Sequence, residues 1–148
     1  LSIYRQREIL KENFLPVVLG CLAGCCASVG STLALCRIFG LDQALTASLV
    51  PKSVTTPIAV ELSAQGGGIA AVTIVVVIFT GICGAALAPG FLKLLRVEDP
   101  MAAGVAIGTA SHGIGTARAL QMGKVQGAMS GVAIGVSGII TVLLVMLL

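Results

Sequence analysis

The chain has 148 residues, of which 57% are hydrophobic, while nine Lys plus Arg and six Asp plus Glu make only 10% charged, against about 25% in a soluble domain. With a mean hydropathy of +1.08, there is too little polar surface to cover a water-soluble globule, and the composition describes an integral membrane protein. The net charge of +3 is scattered along the chain, so no basic tract exists to track nucleic-acid phosphates, and no nucleic-acid partner is expected.

At about 20 apolar residues per spanning helix the chain holds about five passes and no soluble domain, so residues 1–148 read as one transmembrane domain. The opening Leu1-Ser2-Ile3-Tyr4-Arg5 has no Met, and the polar segment around it lacks the pattern of a signal peptide. It reads as the continuation of a longer N-terminal part.

Three stretches carry no Lys, Arg, Asp or Glu: 14–36, 69–92 and 125–148. Each is about 35 Å long as a helix, enough to span. Between them lie two apolar but interrupted segments. In 42–64 the break is Pro51-Lys52-Ser53-Val54-Thr55-Thr56-Pro57, where the prolines cannot donate and push their predecessors out of the α region. In 100–122 it is Ser111-His112-Gly113-Ile114-Gly115, where glycine supplies backbone freedom. Helices are expected to restart with Thr56 capping ahead of Pro57, and with Thr116 capping ahead of Ala117.

Each interrupted segment is either a re-entrant hairpin or a spanning helix with an unwound middle. Two hairpins put Arg5, Arg7, Lys11, Lys93, Arg96 and Lys124 on one side and leave Arg37 on the other, whereas two spans move Lys93 and Arg96 across. The positive-inside rule favours hairpins entering from opposite faces. The fold class expected is therefore all-α and membrane-integral: three spanning helices plus two interrupted helical segments in an inverted-repeat, transporter-like arrangement.

Lys52, Glu61, His112 and Arg118 lie in or beside the breaks, and a charge at membrane depth costs about 2.5 to 3.5 kcal/mol. The functional reading is a polar cavity in which Lys52 and Arg118 face an anion, with the hydroxyls of Ser53, Thr55, Thr56 and Thr116, the adjacent Ser111, and the free amides around Gly113 and Gly115 as further donors. The plainer reading is that these charges snorkel, or that Lys52 pairs with Glu61 for structure alone. His112 is the single histidine, and its ordinary pKa of about 6.5 suits proton coupling, with Glu61 as a neighbour.

Other patterns are weaker. Gly113-Ile114-Gly115-Thr116-Ala117-Arg118 has Arg where a dinucleotide fingerprint needs its third Gly, and no preceding strand. Gly20-x-x-x-Gly24, Gly104-x-x-x-Gly108, Gly127-x-x-x-Gly131 and Gly131-x-x-x-Gly135 read as helix-packing faces. Cys21, Cys25, Cys26, Cys36 and Cys83 form no CxxC and have no ligand-rich neighbourhood, so no metal and no cofactor is expected. They read as small buried hydrophobes, with a vicinal redox pair at Cys25 and Cys26 as the sharper alternative. No catalytic Ser/His/Asp or Cys/His order is present, and the chain is not expected to be an enzyme.

Leu49-Val50-Pro51-Lys52-Ser53-Val54-Thr55-Thr56-Pro57-Ile58-Ala59, then Gly66-Gly67-Gly68-Ile69, then the run from Ala106 through Gly108-Thr109-Ala110-Ser111-His112-Gly113-Ile114-Gly115-Thr116-Ala117-Arg118 to Ala119, resemble the signatures of the LrgB/CidB family. The resemblance covers essentially the whole chain, and family members have further apolar segments before its start. It implies a multi-pass protein of the bacterial inner (plasma) membrane, of antiholin-like or holin-like type, that modulates murein hydrolase activity and autolysis with an LrgA/CidA-type partner. It equally implies a translocator of small carboxylates, similar to the plastid glycolate/glycerate protein and to bacterial pairs linked to pyruvate uptake. Breaks bearing Lys, Arg, His and hydroxyls suit a small-carboxylate site, whereas a lytic pore needs a polar stripe along whole helices. The function expected is a carrier for monocarboxylates of the glycolate, glycerate, pyruvate or lactate class, proton-coupled through His112, and homo-oligomeric. The alternative is an antiholin-like regulator.

Overall fold

The computed structural model describes residues 11 and 13–147, and all of its elements are helices. In chain order they are α1 (Phe14–Ile38), α2 (Gln43–Leu49), α3 (Thr56–Gln65), α4 (Ala70–Leu94), α5 (Pro100–Met122) and α6 (Lys124–Met146). Three of them, α1, α4 and α6, are long and apolar enough to cross a membrane. They coincide with the three uncharged stretches of the sequence to within two residues at their ends. Their outer faces carry Leu, Ile and Phe, including Leu15, Phe79, Ile82 and Ile139, as a lipid-facing surface requires.

The contacts fix the directions of the chain. Val17 and Cys21 near the start of α1 pack with Ala128 and Met129 near the start of α6, while Cys25 and Thr141, farther along both helices, share a hydrogen bond. α1 and α6 therefore run parallel. α3 runs antiparallel to α4, because Ser63 meets Thr73 and Ala59 meets Val77. The turn between them uses Gly67 at φ 76°, a conformation that glycine adopts without a Cβ penalty.

The first interrupted segment is a helix–turn–helix. Asp42 caps α2 through Leu45 N–H, and the helical path ends at Val50. Pro51 to Val54 form a turn, with Lys52 N–H on Leu49 O and Val54 N–H on Pro51 O. α3 then starts one residue earlier than the sequence suggests. Thr55, in extended conformation, is the N-cap and Thr56 is already helical. Pro57, in the first turn of the helix, is tolerated there because its missing N–H would have no intrahelical partner.

The second interrupted segment reverses in one residue. α5 contains a single non-helical residue, His112, at φ 41° and ψ −139°, so the backbone strain falls on the histidine and not on Gly113 or Gly115. The chain then folds back on itself. A Cβ on Gly115 would lie 3.0 Å from Ile107 Cγ2 and 3.2 Å from Ile107 O, although the same two residues on a straight helix would be about 12 Å apart. The arms 100–111 and 113–122 are thus antiparallel. The expectation that Thr116 caps the restart is corrected: the returning arm is helical from 113, and the Thr116 hydroxyl donates to His112 O inside it.

Glycine permits the approach. A Cβ on Gly108 would be 2.9 Å from Ser130 Cα and from Ala133 Cβ, and one on Gly104 would be 2.9 Å from Met129 Cβ and 3.0 Å from Gln126 Cα, so both pack directly on the α6 backbone. Gly24 likewise faces Thr109 at 2.7 Å. Gly131 and Gly135 face open space, so two of the four packing motifs act as expected, a third acts only through Gly127, and the fourth does not act. Gly108→Leu should therefore lower stability by about 1–3 kcal/mol or more, seen as a reduced thermal midpoint in detergent, while Gly131→Leu leaves the midpoint unchanged.

Candidate functional site

Both reversals end at the same depth. His112 Nε2 lies 3.0 Å from Val77 O, about a third of the way along α4, and Ser111 fills the space that a Cβ on Gly84 would need. The turn of the first hairpin reaches the same level from the other end, where Val54 packs with Ala59 and Val77 and where Ser53 and Lys52 touch Ser28 in the middle of α1. Ser28 Oγ and Ser53 Oγ are 2.8 Å apart. Lys52 Nζ donates to Ser28 Oγ at 3.0 Å and to Ser53 Oγ at 3.3 Å.

A cavity of about 480 Å³ opens beside Lys52, between the two hairpins and α1. Its polar lining comes from Lys52, Ser53, Ser28, Ser31, Thr80 and Thr109, and small residues of α1 and of the 100–111 arm make the rest. Among the described residues no carboxylate pairs with Lys52, whose only partners are hydroxyls. An ammonium half-buried among apolar helices without a counter-charge carries an uncompensated desolvation cost, which an anion beside it would offset.

The remaining sequence-expected residues divide. Thr55 and Thr56 are half-buried at the start of α3, next to the turn but not on the cavity wall. Thr116 is half-buried, and its hydroxyl is 2.7 Å from Ser130 Oγ, which ties the returning arm to α6. Gly113 is exposed and Gly115 is buried against Ile107. Arg118 is exposed on the returning arm and donates to Gln121 Oε1 at 2.9 Å, so it does not share the cavity with Lys52. Glu61 is exposed on α3, accepts from Gln65 at 3.0 Å, and makes no contact with His112 among the described residues. His112 is 4% exposed and is held by α4. Arg5 and Arg7 lie outside the described residues.

Four polar cavity residues escaped the sequence reading because they sit inside the long apolar helices or on a hairpin arm: Ser28, Ser31, Thr80 and Thr109. The signal was a lone hydroxyl near the middle of a run that is otherwise fit for lipid. Thr109 belongs to a buried seam in which Ser137 Oγ donates to Thr109 Oγ1, and Thr109 in turn donates to Cys21 Sγ. All five cysteines are free, with Cys25 buried and Cys26 exposed, so the vicinal pair points apart. No three His, Cys, Asp or Glu side chains among the described residues gather to hold a metal ion.

The LrgB-like family pattern matches residues 1–148. The chain belongs to the LrgB-like family. It is 39% identical over 131 residues to the uncharacterized protein YxaC of Bacillus subtilis (strain 168), covering 88% of this chain and 57% of that protein. It is 37% identical over 145 residues to the antiholin-like protein LrgB of the same organism, and equally to that of Bacillus cereus (strain B4264), in each case over 98% of this chain and 63% of the relative. The chain thus spans about three-fifths of the length of these curated relatives. No solved structure matches it.

The Thr116–Ser130 bond generates a prediction. Thr116→Val leaves the fully buried Ser130 hydroxyl without its partner and should cost about 1–3 kcal/mol. Ser130→Ala, which leaves Thr116 donating to His112 O, should cost less, and the double variant should cost less than the sum of the two. Denaturation of the three variants in detergent forms the cycle that checks it.

Proposed function

We propose that this LrgB-like chain carries the substrate site of a membrane carrier for small monocarboxylates, of the glycolate, glycerate, pyruvate or lactate class. The observation that carries the reading is Lys52: an ammonium at the turn of a broken helix, at the depth where the two hairpins meet, beside a cavity of about 480 Å³, with hydroxyls but no carboxylate around it. A bound carboxylate supplies the missing charge, and Ser28 and Ser53 orient it. One cation favours one carboxylate over two.

In this reading both hairpins are re-entrant, and their convergence beside Val77 forms the barrier that the substrate crosses, as in carriers built from discontinuous helices. The starts of α1 and α6 and the end of α4 share one end of the molecule, which carries Lys11, Lys93, Arg96 and Lys124, while Arg37 sits at the other. The positive-inside rule turns that first end to the cytoplasm of a bacterial plasma membrane. His112 pins the second hairpin to α4, and Glu61, engaged with Gln65, is not its partner among the described residues. Working partners are a second copy of the chain and an LrgA/CidA-type membrane protein.

A second reading is favoured by the names of the relatives: an antiholin-like regulator acting through protein contacts. Flux into liposomes separates the two. The carrier reading expects saturable uptake of labelled lactate or pyruvate that unlabelled substrate competes. Lys52→Gln should reduce that uptake at least about tenfold, the loss of one charge-assisted contact, and Lys52→Arg should restore part of it. Arg118→Ala, outside the cavity, should change it less than about twofold. Absence of competable uptake in a folded protein, or loss at Arg118 equal to that at Lys52, overturns the proposed site.

A further inference from the structure

Threonines in apolar helices usually satisfy their hydroxyl by donating to the carbonyl one turn back. Thr32, Thr46, Thr73 and Thr116 all do so here, and Thr109 and Thr141 donate to cysteine sulfurs instead. Thr80, near the middle of α4, does neither. Thr80 is half-buried, and among the described residues its hydroxyl has no hydrogen-bond partner. Thr80 lines the cavity that holds Lys52, on a different element from Lys52, Ser53 and Ser28. It also immediately precedes Gly81, whose missing side chain seats the His112 ring, so its backbone is fixed by the docked hairpin tip.

The walls around it are small and apolar. Ala106 and Ala110 lie on the facing arm, and they and Thr80 also border an adjoining apolar groove of about 500 Å³ along α4. The cavity therefore has two polar poles of different character. One is the ammonium with Ser28 and Ser53, whose hydroxyls are already mutually bonded. The other is a single hydroxyl that can both donate and accept, with nothing bonded to it.

We propose that Thr80 is the specificity-determining residue of the cavity, reading a hydroxyl or keto oxygen on the carbon chain of the acid whose carboxylate sits at Lys52. The inference rests on the carboxylate-site reading above and adds to it the contact that distinguishes one acid from another. A hydroxyl donates to a keto oxygen and accepts from a hydroxyl, so both kinds of acid are served. An acid with only hydrocarbon at that position leaves Thr80 unpaired and gains nothing from it. Discrimination of this kind exceeds what an apolar wall alone achieves between molecules of similar size.

The test compares lactate with propionate, which differ by that one oxygen, in competition for uptake by the intact protein in liposomes. Wild type should favour lactate by about three- to tenfold, the range of one net hydrogen bond. Thr80→Val, nearly the same shape without the hydroxyl, should bring the ratio to about one by weakening lactate while leaving propionate unchanged. Thr80→Ser should retain the preference. Thr80→Ala, which cannot overpack, provides the same reading as Val should the latter disturb folding. A wild-type ratio preserved in Thr80→Val and Thr80→Ala, or an equal loss for both acids, overturns the assignment of Thr80 and leaves the Lys52 site standing. Failure of either acid to compete in wild type overturns the carboxylate reading itself, and Thr80 with it.

Discussion

A peptide group without a hydrogen-bond partner costs several kcal/mol in hydrocarbon, and this chain breaks its helices twice between stretches fit for lipid. Neither break survives facing acyl chains. Each has to be enclosed by protein: the first turn lies against Ser28 of α1 and Val77 of α4, and the second against Val77, Gly81 and Gly84 of α4. In the first turn the Lys52 and Val54 amides donate to Leu49 O and Pro51 O. The reversal at His112 is anchored by an imidazole on the Val77 carbonyl and by Ser111 in the space left at Gly84. The convergence of both turns on α4 beside Val77 follows from this constraint, and so does the cavity between the first turn and the 100–111 arm.

The enclosure is made almost wholly of small residues. With lipid as apolar as the side chains, helices gain little from burying Leu against Leu and associate through close backbone approach and interhelical hydrogen bonds. Gly104 and Gly108 bring the 100–111 arm onto α6. The Thr109, Ser137, Cys21 and Cys25 seam stitches that pair to α1. The large apolar side chains face outward, the reverse of a soluble core. Against that background Lys52 and Thr80 are conspicuous: a charge with no opposite charge, and a hydroxyl with no partner, on two elements that line one cavity.

Much of this was legible in the residues. Charge-free runs located α1, α4 and α6, because lipid tolerates few charges and length does the rest. Pro51, Pro57 and the Gly113/Gly115 pair located both breaks, because proline and glycine act on the backbone locally. The strained residue itself was not legible. A histidine at positive φ is held there by contacts with α4, which no local preference encodes. Arg118 and Lys52 looked equivalent for the same reason. Proximity to a break does not say which way a side chain points, and Arg118 turns out to face away, onto Gln121. Ser28 and Thr80 were hidden in plain apolar sequence, since isolated hydroxyls in spanning helices are usually absorbed by their own backbone.

The central claim is that the ammonium of Lys52 holds an anion at the level where the hairpins meet. The most direct measurement is the anomalous scattering of bromine in crystals of the intact protein grown with 3-bromopropionate. The account predicts a bromine peak inside the cavity bounded by Lys52, Ser28 and Thr80, with carboxylate density on Lys52 Nζ, and no such peak in Lys52→Gln crystals. A peak at Arg118 instead, or an unchanged peak when Lys52 is replaced by Gln, would contradict it.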